Sequence, residues 1–164
     1  MTAPGQMQLP PAKLFKDVLD GLLGRDVELT PRDRKLTSVD ALGGAIALYI
    51  DDNRKNRALV GWDVGAAAYA GCAFGLLPAD LAEQAVTDRY LEADIVDCVY
   101  ELSNVLASAL EKGENPHVKL ETVYSPAAAA PAEIAKLMYE HYERMDFALG
   151  VPGYGSGLFS VVVL

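Results

Sequence analysis

Four polar residues recur at intervals of three or four late in the longest helical pattern of the sequence: Asp97, Glu101, Asn104 and Ser108. At about 100° per residue their side chains fall within roughly 60° of one another, so they line one ridge of a helix. The ridge places a carboxylate one turn from an amide, which can both donate and accept hydrogen bonds. Spacing alone favours a solvated helix face, because Glu-x-x-Asn is common by chance.

The opposite side of the same helix is apolar. Its stripe consists of Leu91, Ile95, Cys98, Leu102, Val105 and Ala109. This periodicity predicts that the stripe faces the core and that the ridge faces solvent. Cys98 has no basic neighbour that would lower the pKa of its thiol, so the sequence does not indicate a thiolate nucleophile.

Other residues that could do chemistry give weaker evidence of a functional site. His117 and His141 have no cysteine or carboxylate at metal-ligand spacing, which indicates surface or capping histidines rather than a metal site. The glycine-rich segment 150–157 runs into a strand, so it predicts a turn rather than a phosphate-binding loop. Asp51 and Asp52 follow an apolar run, but the strand–helix alternation of a receiver domain is missing, and a solvated hairpin tip is expected.

Helices and strands of a mixed fold must position the ridge. Apolar periodicity predicts helices over residues 13–24, 64–77, 80–112 and 132–142, the third broken near residue 88. Short apolar or alternating runs predict strands over residues 26–30, 41–50, 57–62, 117–124, 145–151 and 158–164. The strands come in paired runs interrupted by two consecutive helices. This order predicts an α+β fold with a largely antiparallel sheet.

Two principal helices are expected to pack side by side on one face of that sheet. Gly71, Ala73 and Gly75 would let the helix over residues 64–77 approach the helix that bears Glu101. The run 158–164 is strongly apolar and lacks the charges that blunt an exposed strand edge. We therefore expect something to cover or extend it, and predict a homodimer.

Composition limits the class of protein. The chain has 164 residues, of which 51% are hydrophobic and 23% charged, as in a single globular domain. We assign residues 1–12 to a flexible leader and residues 13–164 to one domain. The 14 basic and 23 acidic residues give a net charge of −9, which disfavours nucleic acid and anionic membranes as partners.

Localisation follows from weaker signals. Two cysteines in apolar stretches fit a reduced compartment. The N-terminus shows no signal-peptide pattern, and the uncharged segment 64–79 is interrupted by glycines and is short for a membrane span. A cytoplasmic protein is expected.

The segment 97–107, DCVYELSNVLA, resembles the Asp/Ser-x-x-x-Glu-x-x-Asn signature of the CheC/CheX/FliY family of chemotaxis phosphatases. The similarity covers about residues 36–126 and, more loosely, the terminal hairpin, with Pro126 at a comparable distance after the motif. Ser103 stands where the family frequently has glycine, and the helix over residues 132–142 looks like an addition. The single copy of the signature is most like the CheX type.

The resemblance implies a CheX-like domain that removes the phosphoryl group from the aspartyl-phosphate of a CheY-like response regulator. It implies that Asn104 orients the attacking water, that Glu101 docks a lysine of the receiver, and that Asp97 supports them. No cofactor of its own is implied, since the Mg²⁺ belongs to the partner receiver. CheX-like relatives also dimerise through strand contacts. A non-catalytic receiver-binding or flagellar-switch-like module remains the alternative.

Overall fold

The computed structural model describes residues 5–164, and residues 1–4 of the expected leader lie outside the described residues. Five α-helices occur in this part of the chain: α1 (Ala12–Leu23), α2 (Val64–Phe74), α3 (Ala79–Asp88), α4 (Ala93–Leu110) and α5 (Ala132–Glu140). Six strands accompany them: β1 (Glu28–Pro31), β2 (Ala45–Asp51), β3 (Asn56–Trp62), β4 (Val118–Tyr124), β5 (Arg144–Val151) and β6 (Gly155–Val163).

All six strands form one antiparallel sheet in the order β1-β5-β6-β3-β2-β4. The predicted hairpins β2–β3 and β5–β6 are present, and the predicted break between α3 and α4 falls at Arg89, which has a φ of 51°. The α+β fold with a largely antiparallel sheet is therefore confirmed.

Helices α2 and α4 pack together on one face of the sheet, as predicted. A Cβ at Gly71 would lie 3.2 Å from Ile95 Cγ2 and 3.3 Å from Val99 Cγ2, both on α4. A Cβ at Gly75 would lie 2.7 Å from Cys98 Sγ. The absence of side chains at these glycines lets the helices approach closely, and α1 adds Phe15 to the same core.

Helix α5 covers the opposite face of the sheet. Its Ile134 and Met138 are buried in a second apolar cluster with Ile46 and Leu48 of β2. Because alternate side chains of a strand point to opposite faces, a strand covered on both sides must be apolar throughout. All seven residues of β2 are buried, and the first six are apolar; the seventh is Asp51.

The C-terminal strand is covered, as expected, but by neighbouring strands of its own chain rather than by a partner. β6 lies inside the sheet, where it pairs with β5 on one side and β3 on the other. Its apolar, uncharged composition reflects burial between two layers. The edges of the sheet are β1 and β4.

The last residues of the expected leader pack against the domain. Met7 is fully buried, and its N–H donates to the Leu164 carbonyl at 3.1 Å. Asn115 donates to the Gln8 carbonyl and accepts from the Gln8 N–H, each at 2.8 Å. Among residues 5–164, no helix is both long enough and apolar enough to cross a membrane.

Candidate functional site

The polar ridge of α4 faces solvent as the sequence predicts. Asp97, Glu101, Asn104 and Ser108 are all exposed. At about 1.5 Å rise per residue, Glu101 and Asn104 are offset by about 4.5 Å along the helix axis. The structure therefore brings the three proposed site residues onto one accessible surface.

The buried side of α4 differs from the predicted stripe. Its members are Ile95, Val99, Leu102, Ser103, Leu106, Ala109 and Leu110. Cys98 is half-buried, and Val105 is 39% exposed. Val105 follows Glu101 by four residues, so it shares the ridge rather than the core. Tyr100, which is 44% exposed, also lies on this surface, so the ridge has an apolar component that the sequence did not reveal.

Ser103 connects the ridge to the sheet. The Tyr49 hydroxyl on β2 donates to the Ser103 carbonyl at 2.5 Å. Complete burial raises the pKa of Tyr49 well above its usual value, so the hydroxyl remains a donor. The Ser103 side chain is buried, and its Oγ has no hydrogen-bond partner among residues 5–164.

Asn115 holds the C-terminal end of α4. Its side-chain amide donates to the Leu110 carbonyl at 2.8 Å, which satisfies one of the carbonyls left free at a helix end. The same side chain bonds the backbone of Gln8. The helix is thus anchored at its end as well as along its buried side.

Glu101 and Asn104 are free for an external partner. Within the described chain, residues 5–164, neither side chain has a hydrogen bond or an ion pair. A depression of about 330 Å³ lies beside Glu101, lined by Phe74, Asp97, Cys98, Tyr100 and Glu101. Its walls are an aromatic ring, a thiol and a phenol, with two carboxylates among them. Such a surface suits a side chain with an apolar stem and a cationic end.

Asp97 also borders a second depression, of about 250 Å³, near the start of α4. Arg89, Tyr90 and Pro126 line it from the other side. The proline that follows β4 therefore lies near the motif-bearing helix, although it is 29 residues from Asp97 in sequence.

Cys98 remains a thiol in this setting. Partial burial raises the pKa of Cys98, and the carboxylates of Asp97, Asp94 and Glu101 raise it further. These causes oppose formation of a thiolate, as the sequence indicated.

The remaining candidates lie away from the ridge. His117 contacts Asp52 at 3.1 Å, and residues 5–164 contain no cluster of His, Cys, Asp or Glu that could hold a metal ion. The prediction of a solvated hairpin tip holds for Asp52 but not for Asp51. Asp52 is exposed, but Asp51 is 4% exposed and accepts from Arg57 Nε at 2.7 Å and from the Lys55 N–H at 3.0 Å.

The glycine-rich segment forms the β5–β6 turn, as predicted. Its glycines also allow close packing that the sequence did not predict. A Cβ at Gly157 would lie 2.0 Å from the Ala66 nitrogen, and one at Gly155 would lie 2.6 Å from the Tyr69 ring. The end of this turn therefore passes directly beneath the start of α2.

No protein-family model and no curated protein matches this chain. Solved structures do match. FliY from Thermotoga maritima is 14% identical and has a TM-score of 0.55, over 91% of this chain and 81% of that chain. A chain of the FliM–SpeE complex from H. pylori is 8% identical, with a TM-score of 0.57 over 93% of this chain and 80% of that chain.

The chemotaxis protein CheX from Vibrio vulnificus is 13% identical and has a TM-score of 0.52, over 93% of this chain and 92% of that chain. These identities are low, so the likeness concerns the fold. It extends over 91–93% of the chain and is wider than the similarity seen in the sequence. The chain has the CheX/FliY-like fold that its motif predicts.

Proposed function

We propose that this protein hydrolyses the aspartyl-phosphate of a CheY-like response regulator. One observation carries the proposal: Glu101 and Asn104 lie one turn apart, exposed and without internal partners, on the helix that bears the family signature. A side chain that serves only stability gains nothing from this arrangement. The fold provides the context in which the signature has a meaning.

Asn104 would orient the attacking water. Phosphoryl transfer depends mainly on placing the nucleophile in line and on stabilising charge spread over the phosphoryl oxygens. A neutral amide can donate to or accept from the water without adding negative charge beside the phosphate. No covalent intermediate on the phosphatase is needed. The Mg²⁺ would be bound by the receiver, so this chain needs no cofactor of its own.

Glu101 would dock the receiver through one of its lysines. The depression beside Glu101 offers Phe74, Cys98 and Tyr100 to the aliphatic stem of such a lysine, and the carboxylate to its ammonium group. Asp97 borders the same depression and would support Glu101 by adding negative charge. Val105 and Tyr100 would supply apolar contact area around the pair.

A radiolabel assay tests the proposal. Receiver domains carrying a labelled aspartyl-phosphate are incubated with the protein, and the loss of label is compared with spontaneous hydrolysis. We expect acceleration by the wild-type protein and none by a Glu101→Gln, Asn104→Ala double variant. A Ser108→Ala variant is the matched control, because Ser108 shares the exposed side of α4 but lies one turn beyond the pair. Failure to accelerate the hydrolysis of any receiver would refute the proposal.

A second candidate function is a non-catalytic receiver-binding or flagellar-switch-like module. The likeness of the fold to a chain of the FliM–SpeE complex, at a TM-score of 0.57, favours it. Such a module would bind a phosphorylated receiver without shortening the lifetime of the phosphate. Its binding would depend on Glu101, while an amide at position 104 would be dispensable.

We further propose a cytoplasmic homodimer, as CheX-like relatives suggest. The dimer contact should not be a pairing of two β4 edges, because β4 carries Lys119 and Glu121 and a register shift in its ladder with β2, which are features that discourage pairing. Light scattering at micromolar concentration decides the question. A mass near the monomer value of 17.6 kDa would exclude the dimer.

A further inference from the structure

The hydrogen bond between Tyr49 and α4 connects the sheet to the peptide group that carries Asn104. The Ser103 carbonyl, which accepts from the Tyr49 hydroxyl at 2.5 Å, belongs to the same planar peptide unit as the Asn104 nitrogen. A mid-helix carbonyl accepts one bond from the N–H four residues later and keeps a second lone pair. The Tyr49 hydroxyl occupies that second position and thus fixes the plane from outside the helix.

The Asn104 side chain has no hydrogen bond of its own that fixes its position. It is exposed and makes no hydrogen bond within residues 5–164. In a helix its χ1 is limited to two main rotamers, so the backbone decides where the amide projects. The placement of the Ser103–Asn104 peptide unit therefore sets the placement of the amide.

Irregularities in both ladders of β2 occur at Tyr49, where its side chain reaches α4. Both ladders of β2 change register at Tyr49: Arg57 is the extra residue on β3, and Glu121 is the extra residue on β4. Such irregularities bend a strand and redirect a side chain. Tyr49 and Ser103 are both fully buried where the hydrogen bond between them forms.

We propose that Tyr49 is a positioning residue for the Asn104 amide, acting through the Ser103–Asn104 peptide unit. The inference rests on the proposed phosphatase function for its catalytic consequence. It does not rest on that function for its structural consequence, which concerns the position of Asn104 alone. The two consequences can be measured separately.

Tyr49→Phe is the test variant, because it keeps the buried ring and removes only the hydroxyl. Tyr154→Phe is the matched control: the Tyr154 hydroxyl also donates to a carbonyl, that of Leu77, at 2.7 Å, but on a loop outside α4. Both variants lose one tyrosine-to-carbonyl hydrogen bond. Only the first loses it next to Asn104.

The first readout is NMR of the unbound protein. Tyr49→Phe should shift the side-chain amide resonances of Asn104 and speed amide exchange by about 10-fold or more over residues 103–107, which corresponds to about 1.4 kcal/mol of local stability. Tyr154→Phe should leave both unchanged. If Tyr49→Phe leaves the Asn104 resonances and the local exchange as in the wild type, the inference is wrong.

The second readout is dephosphorylation of a receiver. Tyr49→Phe should lower kcat about 10-fold and change KM less than twofold, since the docking carboxylate remains. An unchanged kcat below the melting temperature would overturn the catalytic part of the inference. If the wild-type protein itself accelerates no receiver, the proposed function fails, while the NMR result still decides whether Tyr49 positions Asn104.

Discussion

Gly71 on α2 and Ile95 on α4 are in contact with almost no space between the two helices. A Cβ at Gly71 would lie 3.2 Å from Ile95 Cγ2 and 3.4 Å from the Ile95 carbonyl oxygen. The close packing of α4 against α2 therefore depends on the absence of a side chain at Gly71. Because α4 carries Glu101 and Asn104, the packing of this pair bears directly on the candidate site.

We expect Gly71→Val to destabilise the protein by about 1–3 kcal/mol, because overpacking a tight contact forces the helices apart. The measurement is the free energy of unfolding in urea. Gly21→Val on α1 is the control, since a Cβ there meets nothing within 4 Å. The control should be nearly neutral. Equal stability of the two variants would contradict the close contact between α2 and α4.

Ser103→Ala should leave the free energy of unfolding unchanged or slightly higher, and should not alter any receiver-directed activity. The Ser103 hydroxyl is buried and has no hydrogen-bond partner among residues 5–164, so its removal relieves a desolvation cost. The bond from Tyr49 goes to the backbone and survives the change. A loss of more than about 1 kcal/mol would show that the hydroxyl has a partner, such as a buried water.

The ion pair between Arg144 and Asp146 predicts a pH-dependent stability. Both side chains are 6% exposed, and Arg144 Nε lies 2.8 Å from Asp146 Oδ2. Burial opposes ionisation of Asp146, but hydrogen bonds from Arg144, the Ser160 hydroxyl and the Leu36 N–H outweigh it and hold the pKa of Asp146 below its usual value. Ionised Asp146 therefore contributes stability above the unfolded-state pKa, and this contribution is lost as pH falls through the lower folded-state pKa.

Asp146→Asn should cost about 3–5 kcal/mol at neutral pH, because it leaves the Arg144 guanidinium buried without a counter-charge. The cost should shrink as the pH falls below about 4. Urea unfolding over a pH series measures both. The exposed Asp33→Asn is the matched control and should change stability by less than about 0.5 kcal/mol. A pH-independent difference between wild type and Asp146→Asn would contradict the assigned role.

Glu101→Gln should weaken binding of the phosphorylated receiver about 5- to 10-fold, and raised ionic strength should reduce the difference from wild type, since an exposed ion pair is screened. Isothermal titration at two salt concentrations measures this. Glu114→Gln makes the same charge change on an exposed residue outside α4 and is the control. Equal effects of the two substitutions would mean that only the net charge matters.

Local patterns predicted most of the elements. The turn after Asp51 and the glycines of 150–157 predict the two hairpins, and the structure contains both, as β2–β3 and β5–β6. The glycines of α2 predicted its contact with α4, because small residues on one face of a helix allow a neighbouring helix to approach closely. The exposed ridge could likewise be predicted, since the helical period sorts Glu101 and Asn104 to one side.

The errors arose where tertiary context decides. Val105 and Cys98 lie on the border of the apolar stripe. The packing of α2 and the sheet against α4 buries Val99 and Leu106 instead. The composition of β6 cannot distinguish an uncovered edge from a strand between two layers, because strand order is a long-range property. The hydrogen bond from Tyr49 to α4 could not be predicted from local patterns, since its partner Ser103 is 54 residues away in sequence.

The most direct test of the phosphatase proposal is single-turnover dephosphorylation of a labelled receiver by wild type and Asn104→Ala, each at a saturating concentration. If Asn104 orients the water, the rate should fall by about 100-fold, or about 3 kcal/mol of transition-state stabilisation, while the affinity for the receiver stays within twofold. Folding should be unaffected, because Asn104 is exposed. An Asn104→Ala protein as fast as wild type would contradict the central claim.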